Sequence, residues 1–384
     1  MANTNLGAAK QAKNNEYYTQ WPDIEREMNA CLEYDPDVFR DATVLLPCDD
    51  PEWSNFTKFF ALHFRDFGLK KLISTSYAPN SNADAMHYSP TLFETEDPKF
   101  DPKKSKERGR VFVLEQDSVN GDGRVDIDDL RWDYLEGDGD FSSAEVTALR
   151  DEADFVITNP PFSLFRKFLS WLFDGKVRFS IIGSNNAITY KETFLRIKNN
   201  QMWLGATGNS NDMVFGVPKG TPVKKADREK AERLGYPSDD RFDYTRMGNS
   251  CWLTSIEHGR RHEPLQLMDM KDNLQYGSKR VKAASYQSYE NYDAIEVPET
   301  MGIPSDFEGI MGVPISFLDK YDPEQFEILM MANGNARTNT PINVLESVRY
   351  HRHSEDKGGL GVINGERVYA RILVRHLNPV PRKE

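Results

Sequence analysis

The stretch ATVLLPCDDPEWSNFTKFFALHFRDFGLKKLISTSY, residues 42 to 77, constrains this chain most. It reads as an apolar strand at Val44–Leu46, a turn, a helix, a stop at Gly68 and a second strand at about Leu72–Thr75. A strand, helix and strand in so few residues predict a parallel pair joined by a right-handed crossover. Within the turn, Asp50 is expected to cap the helix, and Pro51 suits its first position.

The same alternation resumes further on, with a helix at Ala144–Arg150, a strand at Phe155–Ile157, a helix after Asn159-Pro160-Pro161-Phe162 and a strand at Phe179–Ile182. Alternation of this kind over about 200 residues predicts an α/β fold, a doubly wound and mostly parallel sheet. Ahead of it, Ile24, Met28, Cys31 and Leu32 recur on one face of an amphipathic helix. Residues 78–140, rich in Asn, Asp, Pro and Gly, read as an irregular surface insertion with one strand candidate, Val111–Leu114. Beyond Gly216 the pattern loosens, so a boundary is expected near Asn209–Gly220, dividing a domain of residues 1–215 from a region of residues 216–384.

A chain of 384 residues can hold two such parts. No apolar run reaches the roughly 18 residues that would span a bilayer. The opening MANTNLGAAKQAKNNE lacks the apolar core of a secretory signal. The cysteines Cys31, Cys48 and Cys251 are odd in number and too scattered for a clustered metal site, which fits a reducing cytoplasm and no metal.

The net charge of −12 argues at first sight against a nucleic-acid partner, but it is unevenly spread. From Gly216 onward there are 24 Lys+Arg against 25 Asp+Glu, whereas the first 215 residues carry 24 against 35. Phosphates respond to local charge, so a basic patch in the second half can still hold DNA.

Asn159-Pro160-Pro161-Phe162 follows a strand, at the sheet edge where α/β folds bind ligands. Both prolines fix φ, and Pro160 keeps Asn159 out of the helical region. The Asn159 amide oxygen and the nearby carbonyls can accept from a planar amino group, and Phe162 offers a stacking face. Taken alone, the tetrapeptide reads equally well as a rigid turn that starts a helix.

Other segments are open in the same way. Pro47-Cys48-Asp49-Asp50-Pro51 has two acids and no glycine, so it suits a cationic or hydroxyl-bearing ligand better than a pyrophosphate, or simply a helix cap. Asp140-Phe141 pairs an acceptor with a ring, or forms an acidic turn. Residues 117–129 have the outline of a calcium loop, with Asn120, Asp122, Asp126 and Asp129 in ligand positions and Gly123 at the turn, but Ser118 stands first and residue 129 is not Glu. The clusters HGRRH (Arg260, Arg261) and GSKRVK (Lys279, Arg280, Lys282), near Trp252, Tyr276 and Tyr286, suit a phosphate-tracking surface or a solvated face.

In combination, EYYTQ, LLPCDDPEWSNF, GDGDF, VITNPPFSLF, IIGSNNAITYKE, GNSCWLTSIEHGRRHE and GVPISFLDKYDPEQFEI, in this order, resemble the EcoRI-type adenine-specific DNA methyltransferases. The resemblance runs from about Asn15 to Ile328. It implies a Rossmann-like domain that binds S-adenosyl-L-methionine, a C-terminal DNA-recognition region, and methyl transfer to the amino group of adenine in a specific double-stranded sequence, with the base flipped out. By the same resemblance, Asn159, Pro160, Pro161 and Phe162 are the catalytic motif. Tyr17, Tyr18, Thr19, Cys48, Asp49, Asp50, Pro51, Asn55, Asp140, Phe141 and Asn159 face the cofactor, with Asp49 or Asp50 serving its ribose. Asn185, Asn186 and the basic residues above meet DNA. The likeness also implies restriction-modification or epigenetic marking; it leaves a companion endonuclease and the oligomeric state open, with a monomer favoured. The alternatives are the same chemistry on RNA or protein glutamine, and a non-catalytic DNA- or calcium-binding relative.

Overall fold

A computed structural model describes residues 17–47, 49, 54–78, 98–116, 131–207 and 212–381. The chain forms two compact units. The first holds everything up to Asn185 together with Gly205–His258, and the second holds Asn186–Leu204 together with Gly259–Glu384. The expected boundary near Asn209–Gly220 therefore falls inside the first unit.

In the first unit the predicted strand–helix–strand is present. Strand β2 (Thr43–Leu46) is buried at all four residues and pairs in parallel with β3 (Lys71–Ser76), Val44 opposite Leu72. On its other side it pairs in parallel with β6 (Phe155–Thr158), which pairs in parallel with β7 (Arg178–Ser184). A strand buried on both faces needs a continuous apolar run, and TVLL and FVIT supply it. Helix α2 (Asn55–Leu62) returns the chain from β2 to β3 and buries Phe56, Phe59 and Phe60. Its cap is Ser54, whose Oγ accepts from Phe56 N at 3.1 Å, and not Asp50, which lies four residues too early.

The sheet is mixed rather than mostly parallel. Three further strands join it: β4 (Arg110–Glu115), β5 (Arg131–Tyr134) and β10 (Ser250–Thr254). Seven strands of this unit then lie side by side in the order β5-β4-β3-β2-β6-β7-β10. Only the central four are parallel; β4 on β3, β5 on β4 and β10 on β7 are antiparallel. Part of the expected insertion at 78–140 is thus a hairpin extending the sheet. Arg110, Phe112 and Leu114 alternate inward along β4, the period-two pattern of a strand with one face in the core. The calcium-like segment 117–129 lies outside the described residues.

Helix α1 (Trp21–Tyr34) buries Ile24, Met28 and Cys31 as their spacing requires, and also Glu27. That carboxylate accepts from Ala206 N at 3.0 Å, and from Thr207 N and Oγ1 at 3.1 and 3.0 Å, so the buried charge is met by three donors. Helices α3 (Ala144–Glu152), capped by Ser143, and α4 (Phe165–Gly175) flank β6 in sequence. A separate small sheet joins β1 (Tyr18–Thr19), β8 (Val214–Pro218) and β9 (Phe242–Arg246), all antiparallel, with Tyr18 opposite Gly216.

In the second unit, β11 (Ala294–Glu296), β12 (Ile310–Val313), β14 (Arg371–His376) and β13 (Phe326–Ala332) form a sheet in that order, mostly antiparallel. Tyr289, Tyr292, Leu329, Met330 and Leu373 pack in one apolar cluster of this unit. Arg371 reaches the largely buried Glu296 through Nη2 at 2.6 Å and Nε at 3.1 Å. No helix among the described residues is long and apolar enough to cross a membrane.

Candidate active site

The strand order reverses at β2: the chain leaves it by α2 to reach β3 on one side, and reaches β6 on the other only after the β4–β5 hairpin and α3. Loops following two neighbouring parallel strands on either side of such a reversal diverge and leave a crevice at the carboxyl edge. Pro47 and Asp49 follow β2 there, and Asn159–Phe162 follows β6.

Asn159 is fixed from one side. Its Nδ2 donates to the main-chain carbonyl of Tyr17 at 2.7 Å. An amide turned the other way would set oxygen against oxygen, so the contact decides the orientation and leaves Oδ1 as an acceptor for another donor. Pro161 O accepts from Leu164 N at 2.9 Å as the chain enters the 3-10 turn Phe162–Leu164. Pro160 O takes part in no hydrogen bond among the described residues. The motif thus offers two acceptors on consecutive residues, on a backbone that the prolines keep from rotating.

Phe162 stacks on the Tyr17 ring, with centroids 6.3 Å apart and planes 19° apart, and Phe215 meets Tyr17 edge-on at 6.0 Å. Burial raises the pKa of the Tyr17 phenol, so the ring serves as a neutral aromatic surface. A second asparagine repeats the tether: Asn55 Nδ2 donates to Thr19 O at 2.8 Å. The YYT segment, with Tyr18 and Thr19 in edge strand β1, is therefore clipped by Asn159 and Asn55 at the carbonyls of Tyr17 and Thr19, two residues apart.

Asp49 lies under this arrangement, 7% exposed. Its Oδ1 accepts from Ser54 Oγ at 2.6 Å and its Oδ2 from Thr158 Oγ1 at 2.6 Å. Its carbonyl accepts from Thr57 Oγ1 at 2.9 Å and from Ser74 Oγ. Asp49 or Asp50 is the residue expected at ribose hydroxyls; the Asp49 carboxylate is turned inward, and each of its oxygens holds a protein hydroxyl. Cys48, Asp50 and Pro51 lie outside the described residues.

Asp140 and Phe141 divide their roles. The Phe141 ring is buried against Phe168 and Trp171, at 4.9 and 5.5 Å, so it does not present a free stacking face. Asp140 Oδ1 accepts from Ser142 N and Oγ at 2.8 and 2.7 Å, with Lys167 Nζ at 4.0 Å. Gly139, at φ +84°, carries this segment across the end of β3, where any Cβ would overlap Ser76 O. That close approach, which sequence reasoning missed, puts GDGDF at the same sheet edge; the paired glycines were its signal.

The site residues Tyr17, Thr19, Asn55, Asn159 and Phe162 offer carbonyls, amides and rings, with no cation among them. Thr19 Oγ1 and Ser76 Oγ, the latter at the carboxyl end of β3, are buried without a hydrogen-bond partner among the described residues. Such a donor and acceptor set fits a positively charged, hydroxyl-bearing small molecule and is unsuited to a polyphosphate.

The residues expected at nucleic acid are less uniform. Asn185 stands at the carboxyl end of β7, its N donating to Asn249 O at 2.7 Å, with Oδ1 buried and unpartnered among the described residues. In the second unit Asn186 is exposed and Arg260 half-buried. Lys279, Arg280 and Lys282 line the exposed side of a short helix, Lys279–Ala284, which Ser278 caps and Val281 anchors. Arg261 is a correction: it is buried, its guanidinium 3.9 Å from the Trp203 ring and donating to Asn200 Oδ1 at 3.0 Å. A guanidinium stacks readily on an indole, so Arg261 belongs to packing and not to a surface that tracks phosphates.

Residues 5–377 match the family profile described as adenine-specific methyltransferase EcoRI. The chain is 38% identical to Type II methyltransferase M.EcoRI of Escherichia coli over 341 residues, covering 88% of this chain and 92% of that protein. It is 32% identical to Type II methyltransferase M.MpnI of Mycoplasma pneumoniae, covering 96% of each chain. It is also 30% identical to Type II methyltransferase M.MgeORF184P of Mycoplasma genitalium, covering 96% and 97%. No solved structure matches the chain significantly.

Proposed function

Because the chain belongs to the EcoRI family of adenine-specific methyltransferases, and is on that ground a site-specific adenine DNA methyltransferase, we propose that its first unit is a Rossmann-like catalytic body and its second a target-recognition region. The observation that carries this assignment is the Asn159 amide, tied to Tyr17 O so that Oδ1 and the neighbouring Pro160 O form a ready acceptor pair. The four parallel strands around the reversal at β2 support the Rossmann-like reading.

The target adenine leaves the DNA stack, at a cost of a few kcal/mol, and enters beside Phe162. Asn159 Oδ1 and Pro160 O accept its two amino hydrogens, which fixes the plane of the amino group and directs the nitrogen lone pair outward. S-adenosyl-L-methionine, when bound, supplies an electrophilic methyl group on a sulfonium. Tyr17, Tyr18, Thr19, Asn55 and Asp140 would hold it, with Phe141 backing the pocket. No acid–base residue is needed to start the attack: positioning and the two fixed dipoles do the work as the N–C bond forms and the sulfonium's C–S bond breaks, and the nitrogen, positively charged by the transfer, then gives up one proton to solvent. Lys279, Arg280 and Lys282, with Arg260, Asn185 and Asn186, contact double-stranded DNA.

The Type II names of the relatives support a restriction-modification role, with a companion endonuclease whose site this enzyme protects. The protein acts as a cytoplasmic monomer. Sequencing modified bases in DNA from cells expressing the chain tests the reading. Methylated adenine confined to one short sequence is expected, whereas unmodified DNA alongside methylated RNA or protein would refute it.

A further inference from the structure

We infer that Asp49 is a positioning residue that sets the placement of Asn159 through Thr158, and that of Asn55 through Ser54. The inference rests on the catalytic reading of Asn159 given above. The two carboxylate oxygens of Asp49 each hold the hydroxyl of a residue immediately preceding one of the two asparagines. Oδ2 holds Thr158, the last residue of β6, and the next residue is Asn159, which reaches Tyr17 O. Oδ1 holds Ser54, the cap of α2, and the next residue is Asn55, which reaches Thr19 O.

The carboxylate is itself held. Its residue is 7% exposed, and its carbonyl accepts from Thr57 on α2 and Ser74 on β3. Three elements of the unit, α2, β3 and β6, therefore converge on one residue in the loop after β2. Thr158 Oγ1 has one proton and two acceptors in reach, Asp49 Oδ2 at 2.6 Å and Pro47 O at 2.8 Å, which pins the end of β6 to the start of that loop. Hydrogen bonds to a carboxylate are short and directional, so a shift of the Asp49 loop moves Thr158, and Asn159 with it.

The chemical step requires acceptors placed within a fraction of an ångström, and a misplacement of about 1 Å costs on the order of 100-fold. Thr158→Val removes the hydroxyl while keeping the branched shape. It is expected to lower kcat by about 10- to 100-fold with KM for DNA and for S-adenosyl-L-methionine held within about 2-fold, and Thr158→Ser, which retains the hydroxyl, is expected to recover most of the rate. Thermal melting of each variant accompanies the kinetics. If Thr158→Val does not fold, Ser54→Ala and Asp49→Asn carry the same test at the other end of the link.

Wild-type kcat in a folded Thr158→Val protein overturns the proposal. So does a loss in which kcat, KM and melting temperature worsen together and Ser restores none of them, because that is the pattern of general destabilisation. Asn159→Ala is measured alongside. If it turns over like the wild type, the catalytic reading itself fails; if it is inactive while Thr158→Val is unimpaired, only the positioning role fails.

Discussion

Asn159 and Tyr17, 142 positions apart in sequence, are joined by one hydrogen bond of 2.7 Å from a side-chain amide to a main-chain carbonyl. The bond uses the donor half of the amide and presents the acceptor half. Asn159→Ala removes that acceptor and is expected to lower kcat by roughly 100- to 1,000-fold, the usual effect of deleting one preorganised group. Calorimetric binding of S-adenosyl-L-methionine to the variant is expected to stay within several-fold of wild type. Asn159→Asp keeps an acceptor but sets a carboxylate oxygen against Tyr17 O, and its expected kcat lies between those of wild type and alanine.

The basic helix Lys279–Ala284 and the buried Arg261 separate two kinds of cation in the second unit. Replacing Lys279, Arg280 and Lys282 with Ala is expected to leave melting unchanged and to weaken DNA binding. The slope of log affinity against log salt should fall by about 0.9 for each phosphate that no longer has a cation beside it. Arg261→Ala is expected to do the reverse, lowering the melting temperature because the Trp203 indole no longer has a guanidinium stacked on it, with little change in salt slope. Affinity titrations at several salt concentrations distinguish the two.

Asp23 introduces a pH dependence. Burial pushes its carboxyl up from 3.8 to about 6, against the opposing pull of Arg26 and a hydrogen bond from the Val214 backbone. Between about pH 4 and 6 the folded protein keeps this proton while the unfolded chain has released it. The contribution is therefore present in full below pH 4 and is lost as pH rises through about 6. The loss is at most about 3 kcal/mol. Asp23→Asn removes the titration, so denaturant melts are expected to show a flatter pH profile across that window and a more stable protein at pH 7.

Gly205 is a packing requirement. A Cβ there would overlap the Glu27 carboxylate and the Trp252 Cβ. Gly205→Ala is expected to cost about 1–3 kcal/mol, the range of an overpacked core, and to displace the Ala206 and Thr207 donors from Glu27. A melting curve within experimental error of wild type would contradict this.

The parts of the fold written in short-range pattern were legible. Ile24, Met28 and Cys31 announced the buried face of α1, and apolar runs flanking a capped helix announced β2, α2 and β3. What could not be read depends on distant partners. Tyr18–Thr19 is too short for any period, and it is a strand only because Val214–Pro218 lies alongside it. Arg131–Tyr134 carries charges at alternate positions and joins the sheet only through β4. Ser54 and Asp50 have the same capping chemistry, and local sequence cannot choose between them. In the site, the prolines and the amide of the Asn159 motif were visible as a stiff acceptor pair. The inward turn of Asp49 was not, because an acid in a cofactor loop reads as a ligand contact until the hydroxyls of Ser54 and Thr158 are brought to it from elsewhere in the chain.

The chain passes between its two units three times, after Asn185, Leu204 and His258. Neither unit is a continuous stretch, so the target-recognition region proposed for the second unit is not a cassette. A single crossover after His258 between two related genes would leave Asn186–Leu204 of one parent in a second unit otherwise drawn from the other. New sequence specificity is reached more readily here by point changes on a fixed scaffold than by exchange of whole segments, and a designed chimaera needs all three junctions placed together.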